Sequence, residues 1–164
     1  MEVLTHLLDH LEHRDASSLA RLRHTILSDA TFDVASPWFE PAAELAAQER
    51  HDELIRLLDA HMPGAFLSPE AHQLLAHALT AIGERTQAEQ ERFLAHASLE
   101  LILDSGDGSQ TRPWQVLEVL DEYAVLRHHQ VSVASQRRDV DGARTLDVHR
   151  TSAGRELWFE VLQP

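Results

Sequence analysis

The chain has 164 residues, of which 43% are hydrophobic and 25% are charged, values typical of a globular protein with its own core. Cysteine is absent and every basic residue is an arginine, which excludes disulfides, thiol catalysis, Cys-ligated zinc and any site that depends on a lysine. The formal net charge of −13 opposes binding to nucleic-acid phosphates and favours a cationic partner, although solubility alone would also account for it.

The amino terminus does not look like a targeting segment. It carries Glu2, His6, Asp9 and His10 within its apolar pattern, and it lacks the basic start and uninterrupted apolar stretch of a signal peptide. No run of ~18 apolar residues occurs anywhere in the sequence. We therefore expect a cytoplasmic protein that does not enter a membrane.

Helical periodicity begins at the amino terminus. Residues 3–13 predict a helix whose apolar residues share one side: Val3, Leu4, Leu7, Leu8 and Leu11. The polar residues from Arg14 to Ser18 end this helix and begin a second one, with apolar residues at Leu19, Leu22, Ile26 and Leu27. The pattern predicts a helical hairpin followed by a loop over 28–37.

Two further helical hairpins are predicted between residues 37 and 105. The second of them starts with Ser68 as its cap and Pro69 in its first turn, breaks at Gly83, and resumes over 86–103 with inward residues Ala88, Phe93, Ala95, Leu99, Ile102 and Leu103. The hairpins overlay at an offset of 34 residues, which separates Ala42 from Ala76 and Leu45 from Leu79. Because this offset is the tetratricopeptide period, we predict tetratricopeptide-like hairpins, although Arg92 stands where that pattern has a bulky apolar residue.

The apolar period changes within the segment 105–126. Trp114–Val119 predicts a strand, and a short helix capped by Asp121 follows it. Turns at Asp141-Gly142 and Ala153-Gly154 then separate three predicted strands, which cover 131–136, 145–149 and 157–162. We predict an α+β protein, in which four to six helices in antiparallel hairpins over residues 1–104 pack on a small antiparallel β-sheet within residues 105–164.

The loop from Asp104 to Ser109 is rich in Asp, Gly and Ser, as are calcium-binding and phosphate-binding loops. A calcium loop would place ligands where Gly106 and Gly108 stand, and a glutamate where Gln115 stands. A phosphate loop would lead into a helix, whereas a strand is predicted here. We interpret the loop as a structural turn in which the glycines adopt positive φ and Asp107 accepts hydrogen bonds from nearby amides.

Residues 84–164 carry motifs in a distinctive order. They comprise Ile102-Leu103, Ser105 to Gly108, Val116 to Val119, Glu122, Tyr123, Leu126, Gln136, Gly142, Asp147, Val148 and Trp158-Phe159-Glu160-Val161. In this order they resemble a bacterial family catalogued as domain of unknown function 4919. The sequence departs from that family at Leu146, which replaces an aromatic residue, and at Asp121, which replaces a glutamate. The resemblance implies the fold of this half of the chain and no particular activity.

Three histidines have the spacing of metal ligands. His6, His10 and His13 lie at i, i+4 and i+7, so one helical face carries all three. The His-Glu-x-x-His motif of helical zinc hydrolases is absent, and a solvated or partly buried polar face is the alternative. They are weak candidates for a His-ligated, metal-dependent hydrolase.

A second group suggests acid–base chemistry. Tyr123, Asp147, His149 and Glu160 would converge if the predicted strands pair, although a tyrosine near a helix start more often packs its ring and bonds its hydroxyl to the backbone. The chain has no nucleophile motif such as Gly-x-Ser-x-Gly. We therefore expect no enzymatic activity and no cofactor.

An acidic protein with repeated helical hairpins is typical of protein-binding modules. We expect a partner protein with a basic surface, most specifically a bacterial toxin that this chain neutralises as an immunity protein. The alternative is a chaperone or adaptor for a secreted protein. The candidate contacts are carboxylates of the second hairpin and the aromatic pair before it, a pair that could instead anchor the core: Trp38, Phe39, Glu40, Glu44, Glu49, Asp52 and Glu53.

Overall fold

A computed structural model describes residues 2–163, so residues 1 and 164 of the predicted regions lie outside it. Within this range the elements are, in order, α1 (Glu2–His13), α2 (Ala16–Leu27), α3 (Phe39–Ala47), α4 (His51–His61), α5 (Pro69–Ala81), α6 (Arg85–Ser105), β1 (Trp114–Val116), α7 (Val119–His128), β2 (Val133–Asp141), β3 (Arg144–Thr151) and β4 (Glu156–Val161). The predicted α+β class is confirmed, with helices α1 to α6 preceding the sheet.

The first hairpin, α1 with α2, forms as predicted. Asp15 caps α2, since its carboxylate accepts the Ser18 N–H at 2.8 Å. Val3 and Leu7 of α1 are buried in a core cluster with Leu22, Ile26, Phe66, Leu67, Leu101 and Leu117. Helix α1 buries only a narrow stripe of its predicted apolar side, since Leu4 and Leu8 are 40% and 53% exposed.

Helices α3 to α6 share a second core cluster, which consists of Trp38, Ala42, Leu54, Leu58, Ala65, Ala71, Leu75, Ala78, Leu79 and Ala88. Short turns join α3 to α4 and α5 to α6, and consecutive helices pack against each other. Gly83 has a φ of 91° in the second of these turns, a conformation that favours glycine. Phe93 was predicted to point inward but is 54% exposed, because α6 packs on α5 through smaller residues such as Ala88. The tetratricopeptide-like geometry stays a prediction.

The sheet has the strand order β1-β4-β3-β2. Strands β2, β3 and β4 form the predicted antiparallel meander. The sheet as a whole is mixed and not antiparallel, because β1 pairs parallel with β4 and places Trp114 opposite Phe159. The long connection through α7, β2 and β3 lets the chain return in the same direction.

Strand β2 forms one edge of this sheet. All nine of its residues are exposed, and a bulge interrupts its pairing with β3 between Val133 and Ser135. On the neighbouring strand β3, Asp147 and His149 point to one face of the sheet while Leu146 and Val148 point to the other. Strand β2 therefore contributes no buried residue, and the core of this half lies under β1, β3 and β4.

Helix α7 covers the face of the sheet that carries Asp147 and His149. It begins three residues earlier than predicted, with Glu118 as the N-cap in place of Asp121. The Glu118 N–H donates to the Asp121 carboxylate at 3.1 Å, which places Asp121 in the first turn. Residues of α6, α7 and the sheet then close a third core cluster, made of Ile102, Trp114, Val116, Val125, Leu126, Leu157, Phe159 and Val161.

The loop after α6 has the features of the predicted structural turn. Asp107 accepts the Ser109 N–H at 3.0 Å, and Gly108 has a φ of 73°. Gly106 is extended instead of adopting positive φ, but a side chain there would lie 2.3 Å from the Pro113 carbonyl oxygen. Glycine is therefore required at Gly106 for close backbone approach.

Within residues 2–163, no helix combines the length and the apolar character that spanning a bilayer requires.

Candidate functional site

A cavity of about 620 Å³ opens between the start of α3 and the outer side of α7. We call it the α3–α7 cavity. Pro37, Phe39, Leu120 and Tyr123 form its apolar walls, and Glu40 and Arg127 belong to its charged rim. Its volume is within the range of about 300–1,000 Å³ that is usual for ligand sites.

The loop before α3 is tied to the start of α7, and this fixes the shape of the cavity. The Ser36 hydroxyl donates to the Glu118 carboxylate at 2.6 Å. The Val119 N–H donates to the Val34 carbonyl at 3.2 Å. Both bonds join residues more than 80 positions apart, so Phe39 and Tyr123 face the same cavity although they lie in different halves of the chain.

The two charged side chains at the rim differ in their pairing. Arg127 forms an ion pair with Glu70 of α5. Glu40 is exposed and forms no ion pair within residues 2–163. The rim therefore presents an unpaired carboxylate to solvent, next to an apolar opening.

The structure separates the aromatic pair that the sequence proposed as contacts. Trp38 is 2% exposed and belongs to the core cluster of α3 to α6, so its proposed role as an exposed anchor is wrong. Phe39 is half-buried and lines the α3–α7 cavity. Trp38 is therefore a core residue, and Phe39 remains a candidate contact for a partner.

The other proposed contacts are carboxylates along α3, α4 and the turn between them. Glu44, Glu49 and Asp52 are exposed. Glu53 is half-buried and pairs with Arg50, whose Nε lies 2.8 Å from it. Of the proposed carboxylates, Glu40 alone lines the cavity.

Tyr123 and Arg127 are functional candidates that the partner-site prediction omitted. They lie at i and i+4 on α7, with Leu120 three residues before Tyr123. This helical spacing places them on one side of the helix. The spacing of Leu120, Tyr123 and Arg127 along one predicted helix was the signal available in the sequence.

Five ionisable residues are buried around α7, where Glu122 meets His149 of the sheet, while Glu118 faces the loop before α3 and Asp121 faces α6. We call them the acid layer: Glu118, Asp121, Glu122, Asp147 and His149, each at most 2% exposed. The Glu122 carboxylate and the His149 Nε2 lie 2.5 Å apart. Arg138 donates two hydrogen bonds, each of 2.9 Å, to the Asp147 carboxylate.

Burial dominates the electrostatics of the acid layer. It raises the pKa of Glu118 to about 7, against the opposing effect of the Ser36 hydroxyl and the Trp38 indole. It also raises the pKa of Glu122 to about 7, against the bond to His149, and it raises the pKa of Asp121. For Asp147, burial acts in the same direction but the Arg138 guanidinium outweighs it, so the pKa is lowered.

The structure brings together three of the four residues predicted to converge. The Tyr123 ring stands edge-on to the His149 ring at 5.7 Å, and Asp147 follows on the same sheet face. Glu160 lies on the opposite face, bonded to Arg144. Glu122 was missed because an acidic residue in the first turn of a helix is normally solvated.

The three histidines of α1 bond to separate partners. His6 Nδ1 lies 2.9 Å from the Thr25 hydroxyl, His10 Nδ1 lies 2.8 Å from the Ser18 hydroxyl, and His13 Nδ1 donates to the carbonyl of Asp9. No group of three or more potential metal ligands occurs in the described part of the chain. His6 and His10 are bonded to residues of α2, whereas His13 bonds within α1.

Comparison of the chain with protein-family models, with curated proteins and with solved structures gives no significant match. The resemblance to domain of unknown function 4919 therefore stays a prediction.

Proposed function

We propose that this protein binds another protein whose contact surface is basic. The observation that carries the proposal is the α3–α7 cavity, in which an apolar opening lies beside the unpaired carboxylate of Glu40. A pocket of this kind takes an apolar anchor residue of a partner, while the carboxylate pairs with a neighbouring cationic side chain.

Charge supports the same partner class. The net charge of −13 attracts a basic protein over long range and raises its rate of association at low salt. Glu44, Glu49 and Asp52, on α3, α4 and the turn between them, are exposed and add negative charge to this half of the chain. A partner seated on these carboxylates would bury its own basic residues.

The most specific form of the proposal is a cytoplasmic immunity protein that covers the cationic active site of a bacterial toxin. In this form the protein acts by blocking and needs neither a reaction nor a cofactor. The buried Glu122–His149 pair supports a structural role for the acid layer, since neither residue is exposed. A chaperone or adaptor for a secreted protein would use the same surface. The rival hydrolase proposal lacks support, because the α1 imidazoles bond to separate partners.

Co-expression with the protein encoded by the neighbouring gene tests the proposal directly. We expect cells that express its toxic region to survive when this chain is present, and the two proteins to elute together in size-exclusion chromatography at low salt. Equal cell death with and without this chain, and separate elution, would show that the immunity proposal is wrong. Complex formation without any toxicity would favour the chaperone or adaptor.

Two variants locate the binding surface. Glu40→Arg reverses the rim charge, and Glu89→Arg makes the same charge change at an exposed position on α6 outside the cavity. We expect Glu40→Arg to weaken the complex by at least ten-fold, because it leaves a like-charge contact, about 1.4 kcal/mol or more. Glu89→Arg should weaken it much less. Equal losses would mean that binding depends on net charge and not on the cavity.

A further inference from the structure

A second opening lies on a different part of the molecule, between the α1–α2 turn and α6. This α1–α6 groove has a volume of about 520 Å³ and shares no lining residue with the α3–α7 cavity. Leu11 and Leu19 form one wall, and Phe93 and Leu101 form the other. The groove therefore has apolar side chains on both walls and is large enough for a small organic molecule.

Helix α6 presents one continuous face to this groove. Phe93, His96, Glu100 and Asp104 follow one another at helical spacing along it. Phe93 is 54% exposed, so its ring is open to a ligand. Glu100 and Asp104 form no ion pair with any residue between 2 and 163, and they lie one turn apart. The α6 wall thus combines an open aromatic ring with two free carboxylates.

The opposite wall contributes a buried hydrogen-bond acceptor. His10 is 8% exposed and lines the groove. The Ser18 hydroxyl donates its single proton to the Asp15 carbonyl at 2.9 Å. The contact of 2.8 Å between Ser18 Oγ and His10 Nδ1 must then be donated by His10. This bond leaves Nε2 of the neutral ring as an acceptor, and no donor among the described residues reaches it.

The charges around the groove favour a cationic ligand. The groove is lined by three carboxylates, those of Asp15, Glu100 and Asp104, and by one guanidinium, that of Arg14, which is exposed in the α1–α2 turn. The Asp15 carboxylate is engaged in capping α2, so Glu100 and Asp104 remain as the free anionic groups. A ligand with N–H donors would satisfy them together with the His10 Nε2.

We propose that the α1–α6 groove binds an organic cation, a primary ammonium or guanidinium group carried on an apolar stem. The apolar stem of the ligand packs on Leu11, Leu19 and Phe93. The face of the Phe93 ring also attracts the cationic group. The charged group donates to the His10 Nε2 and to the Glu100 carboxylate. This site goes beyond partner binding and does not depend on the α3–α7 cavity.

The test uses phenethylammonium, which carries one ammonium group and one apolar ring, and 2-phenylethanol as its neutral analogue. Amide shifts of ¹⁵N-labelled protein are followed during each titration. We expect saturable shifts at residues of the groove with phenethylammonium, and binding at least roughly ten-fold weaker for the alcohol, because the alcohol lacks the charge that strengthens a hydrogen bond to a carboxylate. Equal binding of the two probes would overturn the cation assignment.

Matched variants separate the groove from the general negative charge of the protein. Glu100→Gln removes one charge in the groove, and Glu89→Gln removes one from α6 outside it. We expect a loss of roughly ten-fold in phenethylammonium affinity for Glu100→Gln and less than about two-fold for Glu89→Gln. Equal losses would show non-specific attraction. Both positions are exposed, so neither variant endangers the fold.

The ¹⁵N shifts of the His10 ring test the acceptor independently. We expect a protonated Nδ1 and an unprotonated Nε2 in the neutral ring, and the reverse would remove the acceptor from the groove.

A capped Ala-Lys-Ala peptide distinguishes the source of the cation. Groove shifts with either probe support the site, and the tighter probe identifies a free amine or a protein-borne lysine as the ligand. If neither probe shifts the amide signals of groove residues, the proposal is wrong.

Discussion

The two halves of this molecule are stabilised by different interiors. Helices α3 to α6 enclose a cluster of apolar residues, many of them alanines, and the buried His72 beside it has oxygen partners for both ring nitrogens, from Glu91 and Phe66. The interior around α7 contains, besides an apolar cluster of its own, four carboxyl groups and an imidazole. Apolar burial does not change with proton concentration, whereas a buried acid stabilises the fold according to its protonation state. The comparison predicts that truncating an apolar side chain of the first interior has the same effect at every pH, and that the buried acids of the second interior make stability depend on pH.

The largest effect is expected from Leu54→Ala in the helical half. Leu54 is fully buried in the cluster of α3 to α6, so the change removes buried methyl groups and leaves a cavity. We expect a loss of about 2–5 kcal/mol in the free energy of unfolding. Urea denaturation at pH 5 and at pH 8 should give the same loss at both. A loss that differs strongly between the two pH values would mean that the interiors are not independent.

A smaller effect is expected from pH itself. The folded-state pKa values of Glu118 and Glu122 are about 7, above the ordinary 4.5, so the folded state holds protons that the unfolded chain has released between pH 4.5 and 7. Stability contributed by these groups is therefore complete below pH 4.5 and is lost as the pH rises to 7. We expect the free energy of unfolding to fall by on the order of a few kcal/mol between pH 5 and pH 8.

Glu118→Gln sharpens this prediction. The glutamine can still accept the Ser36 hydroxyl but has no proton to lose. We expect a flatter dependence of unfolding free energy on pH, measured by urea denaturation at several pH values. An exposed control, Glu49→Gln, should keep the wild-type slope. If the wild-type slope is flat or rises with pH, the acid layer does not titrate as described.

The smallest effect is expected at the sheet edge. Arg138 donates two hydrogen bonds to the buried Asp147, and Arg137 pairs with the exposed Glu156. Arg138→Gln leaves a buried carboxylate without its cation, while Arg137→Gln breaks a solvated pair. We expect losses of about 1–2 kcal/mol for Arg138→Gln and less than about 0.5 kcal/mol for Arg137→Gln at pH 8. Equal losses in thermal denaturation would contradict the special role of Asp147.

The helical hairpins could be predicted because apolar spacing and the cap at Asp15 are local signals. Burial along α1 and α6 was less predictable, since Leu4, Leu8 and Phe93 have the spacing of core residues but no element packs on them. The parallel pairing of β1 depends on contacts with β4, which follows some forty residues later, and no local pattern encodes it.

The candidate site was predictable in part. Phe39 and Glu40 were found because an aromatic residue and a carboxylate start an acidic helix. The cavity they line needs α7, which comes from the other half of the chain. The burial of Glu118, Asp121 and Glu122 was not predictable either, because acids at the beginning of a helix are stabilised equally well in solvent.

The exposure of β2 has a consequence for the protein in concentrated solution. An edge strand with nine exposed residues offers a free row of backbone donors and acceptors, on which another strand could add. The bulge at Val133 and Ser135 bends this row, and the charges of Arg137, Arg138, Asp139 and Asp141 would have to be matched by any added strand. The bulge and the charges of β2 thus disfavour edge-to-edge pairing with a second copy of the sheet.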